Sequence, residues 1–408
     1  MKTHLKLAAL ALLLSAINHQ LSTCFAQGSL TPPGAPAATM KSLDQIEPRT
    51  PISAVPFTIS EPGSYYLTTN VITTVSNAIT ISVSGVTLDL SGFTIASTVD
   101  SAANGGTAIL LGSGLSDITI FNGHIRSGVT NNGSGVYSGS GFNYGIYYSG
   151  TAPVNTRISG VSVAGCLYYG IFLHAGDSTV VEACTVRTMG SYGILASTIK
   201  SCVAVDCGDS AVFGIQVSDS YGQSPGSGYG LFATMALNCY GSSSNFSGLF
   251  AYTAQNCYGS SSSSGYGLFA YTAQNCWGFS GSSVGLSAFT AQNCLGYSFG
   301  SGYTGIEATY SAHNCYGLTA GQGYGIKTLI AQDCYGESSA NGFGVYAKTA
   351  TGCYGKSTTV GGVGLSAGTA TSCAGEEAAG GIAIQATIAN SCIVYSGTTS
   401  ITYKYNMP

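Results

Sequence analysis

Apolar and polar residues alternate along most of the chain in short runs that are closed by glycine, asparagine or serine. Clear examples are the segments 86–90, 118–120 and 158–163. An alternation of period two is typical of β-strands, and Gly, Asn and Ser favour the turns between strands. Because no helical pattern separates these runs, the sequence predicts an all-β chain from about residue 57 onward.

From about residue 201 the pattern repeats with a fixed period. The segment 248–259 (GLFAYTAQNCYG) recurs almost unchanged at 267–278. Cysteine marks the repeat, and only Ser220 interrupts its positions, which are 202, 220, 239, 257, 276, 294, 315, 334, 353, 373 and 392. Ten intervals cover 190 residues, so one repeat averages 19 residues. This period predicts a solenoid in which every repeat is one coil stacked on the last.

The spacing inside a repeat separates an inner face from an outer face. Leu249 and Ala251 are two residues apart and therefore share one face of a strand. Equivalent positions hold Leu, Ile or Val and Ala or Thr in coil after coil, and Ala254 and Cys257 mark two more columns of small residues. One large and several small columns predict a narrow core in which cysteine serves as a small apolar residue.

The cysteine column raises two alternatives to a packing role. A zinc site needs a tetrahedral ligand set, usually with paired Cys-x-x-Cys spacing, which a straight column does not provide. Disulfides between coils would join Cα atoms about 4.8 Å apart, but parallel Cβ vectors make the disulfide torsion unfavourable. The sequence therefore predicts buried free thiols and no metal site.

The neighbours of each cysteine form two further columns. Asn256 and its equivalents precede the cysteine, and asparagine tolerates the left-handed conformation of a tight corner, where stacked amides can hydrogen-bond. The residue after the cysteine faces outward if the cysteine faces inward. Most of these outward residues are aromatic: Tyr240, Tyr258, Trp277, Tyr316, Tyr335 and Tyr354. An exposed aromatic row predicts a platform for sugar rings or for a partner surface; the alternative is that the rings only stack on each other.

The N-terminus has the pattern of a secretory signal over residues 1–26. Lys2 and Lys6 precede an apolar run at 7–17 that is too short to cross a membrane, and 24–26 offers a small-x-small cleavage site. A lipoprotein acylated at Cys24 is the alternative, which the polar residues 18–20 disfavour. The sequence thus predicts a secreted or cell-surface protein with a proline-rich leader at 27–56, irregular coils at 57–200, and regular coils with a C-terminal cap at 201–408.

Composition excludes some classes of partner. Lys and Arg total 12, and charged residues make up 7% of the chain. Nucleic-acid binding needs a dense basic face, so no nucleic-acid partner is expected. No apolar segment after the signal is long enough for a transmembrane helix.

Three N-terminal segments resemble a known superfold. The segments 63–67 (GSYYL), 86–95 (VTLDLSGFTI) and 118–123 (ITIFNG) look like those of secreted bacterial right-handed parallel β-helix proteins of the pectin-lyase-like superfold. The resemblance covers about 57–408 and implies a right-handed helix of three short sheets. It implies no single activity, because this superfold includes lyases, glycosidases, adhesins and proteins of unknown role.

Enzymes of this superfold that cut polysaccharides would need convergent charged residues. Lyases of the pectate type share a carboxylate cluster that binds Ca²⁺ and an Arg or Lys that acts as the base. Glycosidases use two carboxylates about 5–9.5 Å apart. No two acidic residues of this chain are spaced i, i+2. The best cluster is His174, Asp177, Glu182, Arg157 and Arg187, for which a solvated rim with salt bridges is the alternative.

These observations predict a secreted, non-catalytic β-helix that serves as a surface-binding or structural scaffold. Its expected partner is a polysaccharide or a cell-surface component, and no cofactor is expected. The alternative is a polysaccharide lyase or glycosidase with its site on the N-terminal half, and only a lyase would require Ca²⁺.

Overall fold

The structure, a computed structural model, describes residues 48–100, 102–174, 178–378 and 380–407. The predicted signal 1–26, its Cys24 and most of the predicted leader lie outside these residues. The described chain is a right-handed parallel β-solenoid of about 18 turns, with one 3₁₀-helix at Ala102–Asn104. The prediction of a right-handed parallel β-helix with coils of about 19 residues is confirmed.

Each coil contributes strands to three parallel sheets, which we call first, second and third in chain order. In the irregular N-terminal coils, first-sheet strands are Phe57–Ile59, Ile79–Ile81, Thr107–Leu111, Tyr144–Tyr148 and Tyr169–Phe172. Second-sheet strands are Thr50–Ile52, Gly63–Leu67, Val86–Asp89 and Val180–Glu182. Ser116–Arg126 and Val154–Cys166 bend from the second sheet into the third. A small antiparallel hairpin, Thr130–Asn131 with Tyr137–Ser138, is inserted between coils.

In the regular coils one bent strand serves the first and second sheets. These strands are Ile194–Lys200, Val212–Ser218, Leu231–Leu237, Leu249–Gln255, Leu268–Gln274, Leu286–Gln292, Ile306–His313, Tyr324–Gln332, Phe343–Thr351, Val363–Thr371, Ile382–Asn390 and Thr398–Tyr405. Third-sheet strands are Val71–Thr73, Thr94–Ser97, Thr185–Met189, Val203–Cys207, Tyr221–Ser224, Tyr240–Ser243, Tyr258–Ser261, Trp277–Ser280, Leu295–Ser298, Tyr316–Thr319, Tyr335–Ser338, Tyr354–Ser357, Ala374–Glu377 and Ile393–Ser396.

The solenoid begins before the predicted boundary at residue 57. Thr50–Ile52 pairs in parallel with Gly63–Leu67, with Thr50 opposite Tyr65. Pro51 lies in the middle of this strand, and its lack of an N–H is tolerated because, among the described residues, the strand pairs on one side only. The described end of the 27–56 leader therefore belongs to the first coil.

The predicted inward columns are buried. Leu249 and Ala251 are fully buried, as are most of their equivalents in the other regular coils, and the column of Ala254 is 0–3% exposed in the seven coils from Ala236 to Ala350. Large Ile, Leu and Val side chains fill the N-terminal coils instead. The alternation of period two therefore identified the inner face of the strands correctly.

The cysteines of the column are buried free thiols, as predicted. Cys257 is 3% exposed, and its Sγ donates a hydrogen bond to the carbonyl of Gln255 at 3.2 Å. The Sγ of Cys276 reaches back one coil to the carbonyl of Ala254 at 3.4 Å. The thiols of the column thus donate hydrogen bonds to carbonyl oxygens within the core.

Thiol-specific alkylation is expected to distinguish the folded from the denatured chain. Cys166 and Cys207 are fully buried, and burial raises the pKa of Cys166 to about 12 and also raises that of Cys207. The thiolate is the reactive form, so these two thiols are protected by their pKa as well as by burial. All thirteen described cysteines are buried and should therefore stay unlabelled in the folded protein. They should label after denaturation without reductant, as judged by mass spectrometry. A high yield of peptides cross-linked between adjacent coils would contradict free thiols.

A column of buried hydroxyls was missed by the sequence analysis. Four residues after each of nine successive column positions, from 220 to 373, lies a side chain that is 0–1% exposed: Ser224, Ser243, Ser261, Ser280, Ser298, Thr319, Ser338, Ser357 and, in place of a hydroxyl, Glu377. Ser243 Oγ, for example, donates to the carbonyl of Gly228 at 2.8 Å and accepts from the amide of Phe246 at 3.0 Å. Six of these hydroxyls donate to loop carbonyls and so tie the loops after the third sheet to the core: Ser243, Ser280, Ser298, Thr319, Ser338 and Ser357.

The asparagine column forms the corners that the sequence predicts. Asn256 has φ 54° and Asn275 the same φ, both in the left-handed region. The side-chain amide of each donates to the preceding rung, from Asn256 to Asn238 and from Asn275 to Asn256, both at 3.1 Å. The ladder begins at Asp219, which accepts from Asn238 at 3.0 Å. This column is structural.

Candidate functional site

The six predicted aromatic residues lie at the start of six of the seven third-sheet strands between residues 240 and 357 and face outward. We call Tyr240, Tyr258, Trp277, Tyr316, Tyr335 and Tyr354 the tyrosine stripe. Strand pairing keeps them in register, with Tyr240 opposite Tyr258 and Tyr258 opposite Trp277. Trp277 is 55% exposed, and the other members are exposed or half-buried. The predicted facing of this column is correct.

Most rings of the stripe stack on each other. Tyr240 and Tyr258 have centroids 4.6 Å apart and planes at 9°. Tyr316 and Tyr335 are 4.5 Å apart at 7°, and Tyr335 and Tyr354 are 5.2 Å apart at 14°. Rings stacked in this way cover each other's faces and present their edges to solvent. A sugar ring needs an open aromatic face, so most of the stripe is unsuited to stacking on a ligand.

The stripe is broken in its middle. Leu295 stands where the other coils have a ring, and it is paired with Trp277 on one side and Tyr316 on the other. Trp277 is tilted by 51° from Tyr258 with centroids 6.4 Å apart, so these two rings are not stacked. Beside this break lies a depression of about 250 Å³, the Trp277 recess. Its lining is Tyr258, Trp277, Gly278, Phe279, Leu295, Tyr297 and Leu318.

The C-terminal part of the stripe is tied into a polar network. The hydroxyl of Tyr335 donates to Glu337 Oε2 at 2.7 Å, and that of Tyr354 donates to Glu376 Oε2. Burial, followed by these hydrogen bonds to carboxylates, raises the pKa of Tyr335 and of Tyr354 above the usual value. Lys356 Nζ lies 3.9 Å from Glu376 Oε1. These two hydroxyls are therefore occupied within the protein.

The structure brings together only part of the predicted catalytic cluster. Arg157 Nη1 lies 2.7 Å from Glu182 Oε1 on the second sheet, and both side chains are partly exposed. Glu182 is in register with Lys200 on the next coil, but its ion-pair partner is Arg157.

Arg187 and His174 do not join this ion pair. Arg187 lies on the third sheet, in the strand Thr185–Met189. His174 follows a first-sheet strand with φ 71°, and Asp177 lies outside the described residues. Within the described ranges, no three His, Cys, Asp or Glu side chains are grouped as a metal site requires.

A second aromatic surface, on the first sheet, was not recognised in the sequence. Phe213, Phe232, Phe250 and Phe269 stack with centroids 4.4, 5.0 and 4.8 Å apart. Toward the N-terminus this row adjoins a cluster of rings that includes Tyr147 and Phe172, which lie 5.6 Å apart. The signal was present, because Phe250 lies between the inward residues Leu249 and Ala251 and must therefore face outward.

Comparison with known proteins gives no relative from which a function can be taken. No protein-family model matches the chain, and no curated protein matches it. Over the part of the chain that the structure describes, no helix has the length and apolar character of a membrane span. Support for a function therefore comes from the chemistry of the outer faces.

Proposed function

We propose that the protein is a secreted, non-catalytic β-helix of the pectin-lyase-like superfold that binds carbohydrate as a surface scaffold. The Trp277 recess is the proposed site. The observation that supports it is an exposed tryptophan beside an apolar depression, in a row whose other rings are mostly stacked. Tryptophan and tyrosine offer large apolar faces with a polar tip, which suits the apolar face and the hydroxyls of a sugar ring.

The lack of convergent charged groups supports binding over catalysis. No acidic or basic side chain lines the recess, whereas hydrolysis of a glycosidic bond needs two carboxylates about 5–9.5 Å apart. The Arg157–Glu182 ion pair is solvent-exposed and holds one carboxylate only. A lyase or glycosidase therefore has little support on the described surface.

Two substitutions should abolish carbohydrate binding at the recess without unfolding the protein. Trp277→Ala removes the ring face, and Leu295→Tyr is expected to fill the recess and continue the stack. A stacked aromatic pair contributes about 0.5–1.5 kcal/mol, so Leu295→Tyr should keep or slightly raise the melting temperature. On a glycan array, both variants of the full chain should lose binding to the glycans that the recess recognises.

Tyr335→Ala is the matched control, because its ring faces are covered by Tyr316 and Tyr354. This variant should keep glycan binding. Equal binding by wild type, Trp277→Ala and Leu295→Tyr would show that the recess is not the site. Unfolding of Trp277→Ala would instead mean that this ring belongs to the core.

A further inference from the structure

The second sheet carries a polar groove that is separate from the tyrosine stripe. Two outward columns border it, a hydroxyl column of Thr272, Thr290 and Ser311 and a carboxamide column of Gln274, Gln292 and Gln332 with His313 among them. Strand pairing keeps both columns in register from coil to coil. The groove has a volume of about 410 Å³, and Ala273 and Ala291 contribute to its lining. We call it the glutamine groove.

The glutamines of this groove differ from the neighbouring asparagines. The corner asparagines donate to the preceding rung of their ladder, as Asn275 does to Asn256 and Asn293 to Asn275, both at 3.1 Å. Among the described residues, the side chains of Gln274, Gln292 and Gln332 make no hydrogen bond. Two of the three are exposed and the third is half-buried. Their amide donors and acceptors are therefore open to a ligand.

The backbone is also distinctive at the groove. The coil from Cys294 to Cys315 spans 21 residues, and the register of Ile306–His313 shifts between Glu307 and Ser311 against the next coil. The extra residue forms a bulge that changes the direction of the strand just before Ser311 and His313. Bulges of this kind are over-represented beside functional sites. This is an observation independent of the side-chain columns.

The charge of the side chains that line the groove indicates which class of ligand it can bind. The lining offers hydroxyls and carboxamides and no carboxylate, ammonium or guanidinium group. His313 is its one titratable side chain, with Nε2 3.7 Å from Asp333 Oδ2. An acidic polysaccharide would find no cationic partner here, whereas sugar hydroxyls can both donate to and accept from carboxamides. Rungs repeat about every 4.8 Å along the stack, and an extended chain of sugar rings advances by a similar length per residue.

We infer that the glutamine groove binds a neutral, linear polysaccharide that runs along the solenoid axis and hydrogen-bonds to successive rungs. The inference rests on the proposed carbohydrate binding but assigns it to a second face with its own ligand class. Gln274 and Gln292 supply carboxamides at adjacent rungs, and Ser311 and Thr290 supply hydroxyls beside them. The groove and the Trp277 recess thus make separable predictions.

Calorimetric titration of the full chain tests the inference. The probes are the hexasaccharides of β-1,4-linked glucose, xylose and mannose, and the hexasaccharide of galacturonic acid as the acidic arm. Wild type should bind at least one neutral probe. Gln274→Ala combined with Gln292→Ala should weaken that binding by about tenfold or more, because two hydrogen bonds are lost. Gln292→Arg, which fills the groove, should do the same.

A matched control separates this result from a general effect of removing glutamines. Gln223→Ala combined with Gln385→Ala removes two exposed glutamines from the third and first sheets, and binding should be unchanged. Trp277→Ala should still bind the neutral probe through the groove. Unchanged binding by the Gln274→Ala/Gln292→Ala variant, or binding of the galacturonate probe alone, would overturn the inference.

The remaining outcomes distinguish the two proposals. Loss of binding in Trp277→Ala with full binding in the groove variants would place the site at the recess and reject the groove. Loss in the groove variants with full binding in Trp277→Ala is the result that the inference predicts, and the recess is then tested by the array glycans that the groove variants still bind. Absence of binding to every probe by wild type would reject the groove as a site for neutral glycans, and the glycan array would then decide on the recess alone.

Discussion

Cys257→Phe is expected to destabilise the regular coils strongly, by about 3 kcal/mol or more, at the upper end of the range for overpacked cores. Cys257 is 3% exposed and is stacked between Cys239 and Cys276 of the adjacent coils. A phenylalanine ring has no room in this narrow core of small side chains without moving a neighbouring coil. Because stability in a solenoid depends on contacts between adjacent repeats, the two flanking coils should loosen as well. Chemical denaturation followed by circular dichroism measures the loss.

Ser220→Cys is the control for this substitution. Ser220 Oγ donates to the carbonyl of Ser218 at 2.7 Å and accepts from the amide of Cys202 at 3.1 Å. Cys202 makes the equivalent contacts through sulfur, at 3.2 Å to Lys200 and 3.5 Å from the amide of Cys184. The free energy of unfolding should therefore change by less than about 1 kcal/mol. Equal stability of wild type and Cys257→Phe would mean that the cysteine column does not face the core.

Gly259→Ala is expected to destabilise by about 3 kcal/mol, although it adds one methyl group. A Cβ at Gly259 would lie 2.2 Å from the carbonyl oxygen of Gly267 and 2.8 Å from the Cβ of Leu268. The obstacle is backbone, which moves only if the whole coil shifts. Glycine recurs at this position because the third sheet approaches the following strand of the first sheet closely.

Ser260→Ala provides the comparison for Gly259→Ala on the same strand. Ser260 is the next residue, and its side chain points outward and is half-buried. Removing its hydroxyl should change stability by less than about 0.5 kcal/mol. In thermal unfolding, the melting temperature should therefore fall for Gly259→Ala, on the inner face, and stay near the wild-type value for Ser260→Ala, on the outer face. Similar melting temperatures would contradict the close approach at Gly259.

The repeat predicted the inner face well, because each inward side chain must fit the coil above and the coil below. The columns of Leu249, Ala251, Ala254 and Cys257 were identified for this reason. The corner asparagines followed from the need for a left-handed conformation. Pro51 misled the assignment of the first coil, since proline disfavours central strands but is tolerated at an edge.

The outer faces were harder to predict, because side chains in solvent are not constrained by a neighbouring coil. The sequence places Trp277 and Tyr335 in one column, but it does not show that Tyr335 is covered on both faces while Trp277 borders a recess. The longer coil between Cys294 and Cys315 is visible in the sequence. That its extra residue bulges beside Ser311 is visible only in the strand register.

The central claim, a solenoid that binds carbohydrate without cutting it, is tested most directly by one incubation. The full chain is mixed with a polysaccharide panel, and both retention on the polysaccharide and the release of reducing ends and unsaturated sugars are measured over time. The account predicts retention that depends on the outer-face residues, with no product above the background of a heat-denatured sample. Release of sugars by the folded chain at a rate that Glu182→Gln abolishes would contradict it.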